Sequence, residues 1–580
     1  MKQQLSRTDG YLKRWLVTLL GLSVFMSLAV ARSDGGPVKK PLPAKQTVAK
    51  KPLAPPAPRS AFLTVEDWQK VALEPMREGE IDQLVTKEVE SAKVEPAALT
   101  TDEQFIRRVT LDMTGELPLP ADVTEFVAAS DPKKRAKLID KLLDSDEYAR
   151  HWTHYWREVI VARLTDRRNL PLARAFESWL FDELKKNEGW DKIARAMITA
   201  EGEARFDDDG KSGAAFFLGT HRGVDAANER AAETSRVFLG IQIQCAQCHD
   251  HPSDQWKRVQ FHELAAYYAR MSERPIREDG RLVGLRLISM AKGEHEMPSK
   301  EDPKKGYQTN PRFLDGKTPG SNLGDLERRR DLANSVVAKS NYWFAAAYVN
   351  RIWGELMGQS FYQPVDDIGP KKEVVFAEVL TRLTGSFRAT NYDVKQLFRD
   401  IMNSQTYQRQ IRLSGASEQH QHFAAAYPTR LPADSLWQSL VNVLGNLGAG
   451  SPVQRVTAKK PQQMQGLEFL FKEEFGFDPS LKADEVEGSV TQALLMMNNP
   501  VVNQKIKANG TNLLARILKS YPQDDEALRM LYLRTLARMP TERELQKCRT
   551  YIADGGMSRA DAFEDILWTL LNSTEFQTKR

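Results

Sequence analysis

The sequence predicts a mainly α-helical protein. From about residue 61 onward apolar side chains recur at helical spacing, and runs in which apolar and polar residues alternate, as they do in strands, are few. Near the C-terminus Ser558 is placed to cap a helix whose apolar face falls at i, i+3, i+4, i+7 and i+8: Phe563, Ile566, Leu567, Leu570 and Leu571. The same spacing over 394–402 and 349–356 predicts two more helices.

A recurring helix boundary extends this prediction. Residues 142–148 (LLDSDEY), 401–407 (IMNSQTY) and 570–576 (LLNSTEF) share one pattern: Asp or Asn ends a helix, Ser caps the next, and an aromatic residue follows three positions after that Ser. We expect the aromatic ring to pack beneath the joint. The pattern predicts domains built from helical hairpins, and its irregular spacing argues against a solenoid.

Five segments are predicted. The 580 residues supply ample aromatic and aliphatic side chains for a core, while three cysteines are too few for a disulfide framework. The segments are a signal peptide (1–31), a disordered Pro/Lys/Ala-rich linker (32–60), a first helical domain (61–275), a connector (276–312) and a second helical domain (313–580) with a variable insert at about 446–485.

The N-terminus has the parts of a secretory signal. Basic residues precede an apolar run from Trp15 to Val30, and Ala29-Val30-Ala31 forms a small-residue cleavage site. The run is shorter than the roughly 20 residues of a membrane-spanning helix, which favours cleavage over anchoring. We therefore expect an exported protein, periplasmic or at the cell surface.

Positive charge is concentrated at the same end. The chain has a formal charge of +5, yet residues 1–60 hold eleven Lys or Arg against two Asp or Glu, so the remainder carries about −4. A slightly acidic body argues against a nucleic-acid partner. The basic linker could associate peripherally with an anionic envelope surface, although a solvated linker is the simpler interpretation.

The chemistry concentrates in Cys245-Ala246-Gln247-Cys248-His249. This Cys-x-x-Cys-His spacing is the attachment signature of c-type haem: two thiols form thioethers with the haem, and the adjacent His is the proximal iron ligand. With three cysteines and nine histidines in 580 residues, a chance match is improbable. The sequence thus predicts one covalent haem c, with Cys245 and Cys248 as thioethers and His249 on the iron.

Other interpretations of the motif stay open. Cys245, Cys248, His249 and His251 could instead bind zinc or another divalent metal, or the two thiols could form a disulfide or be inert. Residues 228–244 are predicted as a helix leading into the motif, and Asp254 as the cap of the next helix. The apolar face of that helix is expected to be core rather than a haem wall. Candidates for a distal iron ligand are Met271, Met290, Met297 and His262.

Several longer segments resemble one known family. The segments VFLGIQIQCAQCHDHPSDQW with FHELAAYYARM, FIRRVTLDMTGELPLPADV, RRRDLANSVVAKSNYWFAAAYVNRIWGELMGQSFYQPVDDIGP and TQALLMMNNPVV resemble the planctomycete secreted cytochrome-like family, in which a PSCyt domain precedes a PSD domain, both of unknown function. The resemblance runs from about residue 95 to 580, with weaker matches at 275–310 and 446–485. Relatives often carry a separate cytochrome c domain, whereas this chain has no second Cys-x-x-Cys-His.

The resemblance implies roles for individual residues. Cys245, Cys248 and His249 match the haem-like motif, and Asp250, His251 and Asp254 match its tail, where we expect side chains that hydrogen-bond to the metal-binding residues and orient them. Asn350-Arg351-Ile352-Trp353 and Asp366-Asp367 match a signature of the second domain. For Arg351 and the Asp pair we expect buried ion pairs rather than catalysis.

The expected function is electron transfer to a redox partner protein in the envelope. The chain shows no Ser nucleophile elbow, phosphate-binding Gly loop or His-Glu-x-x-His motif, so no catalytic residue can be named. The alternative is a non-haem metal-binding or disulfide-closed envelope scaffold, linked in this hypothesis to polysaccharide use.

Overall fold

The computed structural model describes residues 60–162, 167–208, 210–302, 305–412, 420–447, 452–453, 465–554 and 556–579. The predicted signal peptide and all of the predicted linker except Ser60 lie outside these ranges, as does part of the predicted insert. Within the described ranges, no helix has both the length and the apolar composition needed to cross a lipid bilayer.

The prediction of a mainly α-helical protein is confirmed. The helices of the first part are α1 Val65–Gln69, α2 Glu80–Ala92, α3 Asp102–Thr114, α4 Pro120–Ala128, α5 Lys134–Leu143, α6 Asp146–Val161, α7 Ala173–Lys185, α8 Trp190–Ile198, α9 Ala215–Gly219, α10 Ala226–Thr234 and α11 Arg258–Ala265. A 3₁₀ helix, Arg167–Leu172, precedes α7.

The later helices continue to the C-terminus. They are α12 Asp325–Val336, α13 Tyr342–Met357, α14 Ala377–Ala389, α15 Val394–Met402, α16 Gln405–Gln408, α17 Ala433–Leu444, α18 Leu467–Phe475, α19 Val490–Asn498, α20 Pro500–Ile506, α21 Leu513–Ser520, α22 Asp524–Leu536, α23 Glu542–Asp554, α24 Arg559–Leu571 and α25 Thr574–Gln577.

The three repeated helix boundaries form as predicted. The hydroxyls of Ser145, Ser404 and Ser573 accept hydrogen bonds from the backbone N–H groups three residues later. Those N–H groups belong to Tyr148, Tyr407 and Phe576, whose side chains are completely buried. Ser558 likewise caps α24. Each cap satisfies a backbone donor that the first helical turn leaves open.

The expectation of an almost strand-free chain misses a small sheet. Strands β2 (Gly202–Arg205), β3 (Met271–Glu278) and β4 (Arg281–Ser289) form an antiparallel sheet in the order β2-β4-β3. Asp279 and Gly280 join β3 to β4, and both have positive φ, as a tight hairpin turn requires. This Asp-Gly pair was the sequence signal that could have revealed the hairpin.

The remaining strands are short. Strands β5 (His295–Pro298) and β6 (Gly306–Thr309) form a second hairpin in the predicted connector. The two-residue strands pair antiparallel as β1 (Ser60–Ala61) with β7 (Val374–Val375), β8 (Thr429–Arg430) with β11 (Thr578–Lys579), and β9 (Pro452–Val453) with β10 (Gln465–Gly466).

The largest hydrophobic cluster draws on both predicted domains. Trp156 of α6 stacks on Trp190 of α8, with ring centroids 4.3 Å apart, and on Tyr348 of α13 at 5.5 Å. These rings are nearly or fully buried. A second cluster gathers the C-terminal helices from α17 onward and takes in Leu111 of α3. The described residues from Ser60 onward belong to one compact unit.

Candidate functional site

The Cys-x-x-Cys-His motif follows a helix that ends earlier than predicted. Helix α10 ends at Thr234, and a π-helical turn from Ser235 to Leu239 follows it. The chain then reverses at Gly240, which has φ +67° and lies so close to Ile368 that an added Cβ would be 2.7 Å from its Cδ1. The predicted single helix over 228–244 is therefore wrong, because the backbone needs a glycine turn at 240.

The motif itself lies at the surface, and buried apolar side chains next to it hold it in place. A 3₁₀ helix from Ile243 to Gln247 carries Cys245, and Ile243 and Ala246 are completely buried. Cys245, Cys248 and His249 are exposed, and both thiols are free. The local fold thus directs the three predicted haem-binding side chains away from the core.

The imidazole of His249 is oriented by the backbone. Its Nδ1 lies 2.7 Å from the carbonyl oxygen of Asp250. Since a carbonyl can only accept, Nδ1 is the donor, and in the neutral imidazole this tautomer leaves the lone pair on Nε2. An imidazole whose Nδ1 donates to a carbonyl is the form that binds a metal through Nε2.

Asp250, not Asp254, caps the helix after the motif. The Asp250 carboxylate accepts a hydrogen bond from the backbone N–H of Arg258, the first residue of α11, at 3.0 Å, and it pairs with Lys257 at 3.0 Å. These contacts lower the pKa of Asp250, the backbone hydrogen bond most strongly. The predicted capping role of Asp254 is wrong, because its carboxylate accepts from Gln255 instead.

Two side chains of α11 hold the carbonyl oxygen of Gln247, inside the motif. Arg258 donates to it from Nε at 3.2 Å and His262 from Nε2 at 3.0 Å. The Nδ1 of His262 must then accept from Nε2 of His295, 2.8 Å away. Burial lowers the pKa of His295 to about 4 and also lowers that of His262, so both rings are neutral near pH 7.

The distal-ligand candidates are spread over the surrounding elements. Both ring nitrogens of His262 are already hydrogen-bonded. Met271 is buried at the start of β3, Met290 is exposed just after β4, and Met297 is half-buried in β5. The apolar face of α11 and the residues after it, including Phe261, Leu264 and Tyr268, is fully buried core. Iron ligation by any of the four candidates stays a prediction.

The alternative metal set was Cys245, Cys248, His249 and His251. Within the described ranges, no group of three or more His, Cys, Asp and Glu side chains is arranged to hold a metal ion. His251 instead bonds locally: its backbone N–H donates to Trp256 at 2.8 Å, and its Nδ1 accepts from the N–H of Ser253 at 3.3 Å.

Two family matches cover most of the described chain. PSCyt2, a protein of unknown function (DUF1549), matches residues 80–273, and PSD1, a protein of unknown function (DUF1553), matches residues 328–552. The chain belongs to this PSCyt2–PSD1 family. No curated protein and no solved structure matches it. The two matches confirm the resemblance noted in the sequence. The Cys-x-x-Cys-His motif lies within the PSCyt2 region.

A loop of the PSD1 region closes over the tail of the motif. Lys372 donates to Ser253 at 2.9 Å and to Asp367 at 2.8 Å. Gly369 lies against buried Asp254 so tightly that a Cβ there would be 1.7 Å from its Oδ2. Burial raises the pKa of Asp254. Asp254 is therefore a contact between the two regions.

Behind the motif, a buried ion network joins the regions. Asp366 of PSD1, with no exposed surface, lies 3.4 Å from Arg236 of PSCyt2 and 3.5 Å from Arg351. Arg236 also pairs with Glu233, and Gln242 donates to Asp366 at 2.8 Å. The expectation of a buried ion pair for Arg351 is confirmed for Asp366, whereas Asp367 is half-exposed and pairs with Lys372.

Proposed function

We propose that this protein is an exported electron-transfer protein that carries one covalent haem c on Cys245 and Cys248, with Nε2 of His249 as the proximal iron ligand. The observation that carries the proposal is the hydrogen bond from Nδ1 of His249 to the Asp250 carbonyl. In the neutral ring, this bond places the proton on Nδ1 and leaves Nε2 to bind a metal. When bound, haem supplies one-electron redox chemistry.

Three further features support this role. Both thiols are free and exposed, as thioether formation requires. The carbonyl of Gln247, between the two cysteines, is held by Arg258 and His262, which limits movement of the loop. The exposed position of the motif would leave a haem edge accessible to a redox partner protein, and with one such motif in the chain electrons would leave to that partner.

The experiment is a visible spectrum of the full chain made in a host that matures c-type cytochromes. We expect a Soret band in the wild type, its loss in Cys248→Ala, and an altered ligand spectrum in His249→Ala. Cys548→Ala is the matched control, because this third cysteine is half-buried in α23 of the PSD1 region and should leave the spectrum unchanged. A colourless wild-type protein would contradict the proposal, and elemental analysis would then test the scaffold alternative.

A further inference from the structure

A second candidate site is a cleft formed mainly by residues of the PSD1 region. The cleft encloses about 830 Å³, part of it open to solvent. Helix α13 supplies Arg351 and Glu355, β8 supplies Thr429 and Arg430, and the segment 477–486 forms the opposite wall. Tyr155 of α6 is the contribution of the PSCyt2 region.

The charges on the floor of this cleft are balanced. Arg351 is buried, pairs with Asp366 at 3.5 Å and donates to Ser480 at 3.3 Å. Glu355 pairs with buried Lys579 at 2.6 Å, and Lys579 also contacts Asp112 at 3.2 Å. At the rim, half-buried Lys482 and exposed Asp484 offset each other in charge. Neither sign dominates among these groups.

Arg430 differs from the other charged groups of the cleft because no acidic side chain among the described residues balances its charge. Its guanidinium is half-buried and donates to the amide oxygen of Gln492 at 2.9 Å. Within the described ranges no carboxylate pairs with it, although Glu485 and Glu487 line the smaller cavity on its other side. Burial lowers its pKa. A partly desolvated cation of this kind favours an anionic ligand.

The backbone leaves room for this guanidinium. It lies over Gly488, where an added Cβ would be 2.9 Å from Nη2 of Arg430. On the partner strand, Lys579 of β11 is paired with Thr429, so the same short sheet positions the cation of the Glu355 pair and Arg430. Apolar contacts are available from Tyr427, Phe477 and Leu481.

We propose that this cleft binds a small organic monocarboxylate, with its carboxylate on Arg430 and its apolar part against Tyr427, Phe477 and Leu481. One unbalanced cation fits one negative charge. The planar guanidinium can donate two parallel hydrogen bonds to a carboxylate. This function is independent of haem attachment.

Isothermal titration with matched probes tests the ligand class. Phenylacetate and phenylacetamide differ in charge and share an apolar ring, while glucuronate and glucose form a second pair with hydroxyl groups in place of the ring. We expect phenylacetate to bind at least about tenfold more tightly than its amide, as expected for a hydrogen-bonded charge. Equal binding within both pairs, or binding of no probe, would overturn the proposal.

Variants test the position. Arg430→Gln should weaken phenylacetate binding by at least about tenfold, while it keeps a donor for Gln492. Gly488→Val should weaken binding by displacing the guanidinium. The control is Arg277→Gln, the same charge change at a distant exposed arginine of β3 that donates to Gly280. Thermal unfolding establishes that each variant folds, and a folded Arg430→Gln protein with wild-type affinity would refute the assignment.

Discussion

The motif loop and the ion network behind it use charge in opposite ways. In the loop, Asp250 and Lys257 pair with both side chains more than half exposed, and water screens their attraction. In the network, Asp366 has no exposed surface and lies between Arg236 and Arg351. The proposed haem chemistry therefore lies on an exposed surface loop. The contacts that join the PSCyt2 region to the PSD1 region are buried, and there each charge depends on its partners for stability.

The largest expected effect comes from breaking the buried network. Asp366→Asn keeps the shape of the side chain but removes the negative charge between two buried guanidinium groups. We expect it to lower the free energy of unfolding by about 3–5 kcal/mol, measured by urea denaturation. Asp367→Asn, next in sequence but half-exposed, should cost less than about 1 kcal/mol. Equal losses in the two variants would show that burial does not set the difference.

The contact of the PSD1 loop with the motif tail gives the next effect. In Gly369→Ala the new Cβ would collide with Oδ2 of buried Asp254. We expect a loss of about 1–3 kcal/mol in the free energy of unfolding. Gly320→Ala is the control, because its Cβ would meet only ordinary contacts at 3.7 Å or more. A Gly369→Ala protein with the stability of the wild type would mean that the PSD1 loop does not pack tightly against Asp254.

The buried imidazole of His295 should make the stability of the protein depend on pH. Burial lowers the pKa of His295 to about 4, below its unfolded value of about 6.5. The unfolded chain therefore takes up the proton first, and this contribution to stability is complete above pH 6.5 and lost as pH falls toward 4. Between pH 7 and 5 the wild type should lose about 1–2 kcal/mol more than His295→Gln. If urea titrations showed the same loss of stability between pH 7 and 5 in both proteins, His295 would not be the group responsible.

The smallest effects are expected within the exposed loop. Asp250→Ala removes the cap of α11 and should cost about 1 kcal/mol. Lys257→Gln removes only the exposed partner of Asp250 and should change the free energy of unfolding by less than about 0.5 kcal/mol. Urea titration of both variants ranks them, and a larger loss in Lys257→Gln would mean that the ion pair, rather than the cap, secures the loop.

Local patterns allowed much of the fold to be predicted, and long-range contacts account for the misses. The caps at Ser145, Ser404 and Ser573 depend on residues three positions away, so the sequence is sufficient to predict them. The close packing of Gly240 against Ile368 of the PSD1 region joins residues more than a hundred positions apart. No periodicity of the PSCyt2 segment contains that information.

In the candidate site too, local features could be predicted from the sequence and long-range contacts could not. Its three central residues were predicted from spacing alone, and the structure adds the Nδ1 bond of His249. The link from Gln247 through His262 to His295 could not be predicted, because it requires the β5 hairpin to fold against α11. Arg430 gave no signal either, since its environment is assembled from β8, Gly488 and Gln492.

The most direct test of the haem assignment is the mass of the purified wild-type chain under denaturing conditions, after expression with a cytochrome c maturation system. We predict the mass of the chain plus one haem, held through denaturation by the thioethers of Cys245 and Cys248. A denatured mass equal to the polypeptide alone would contradict covalent attachment and with it the proposed function.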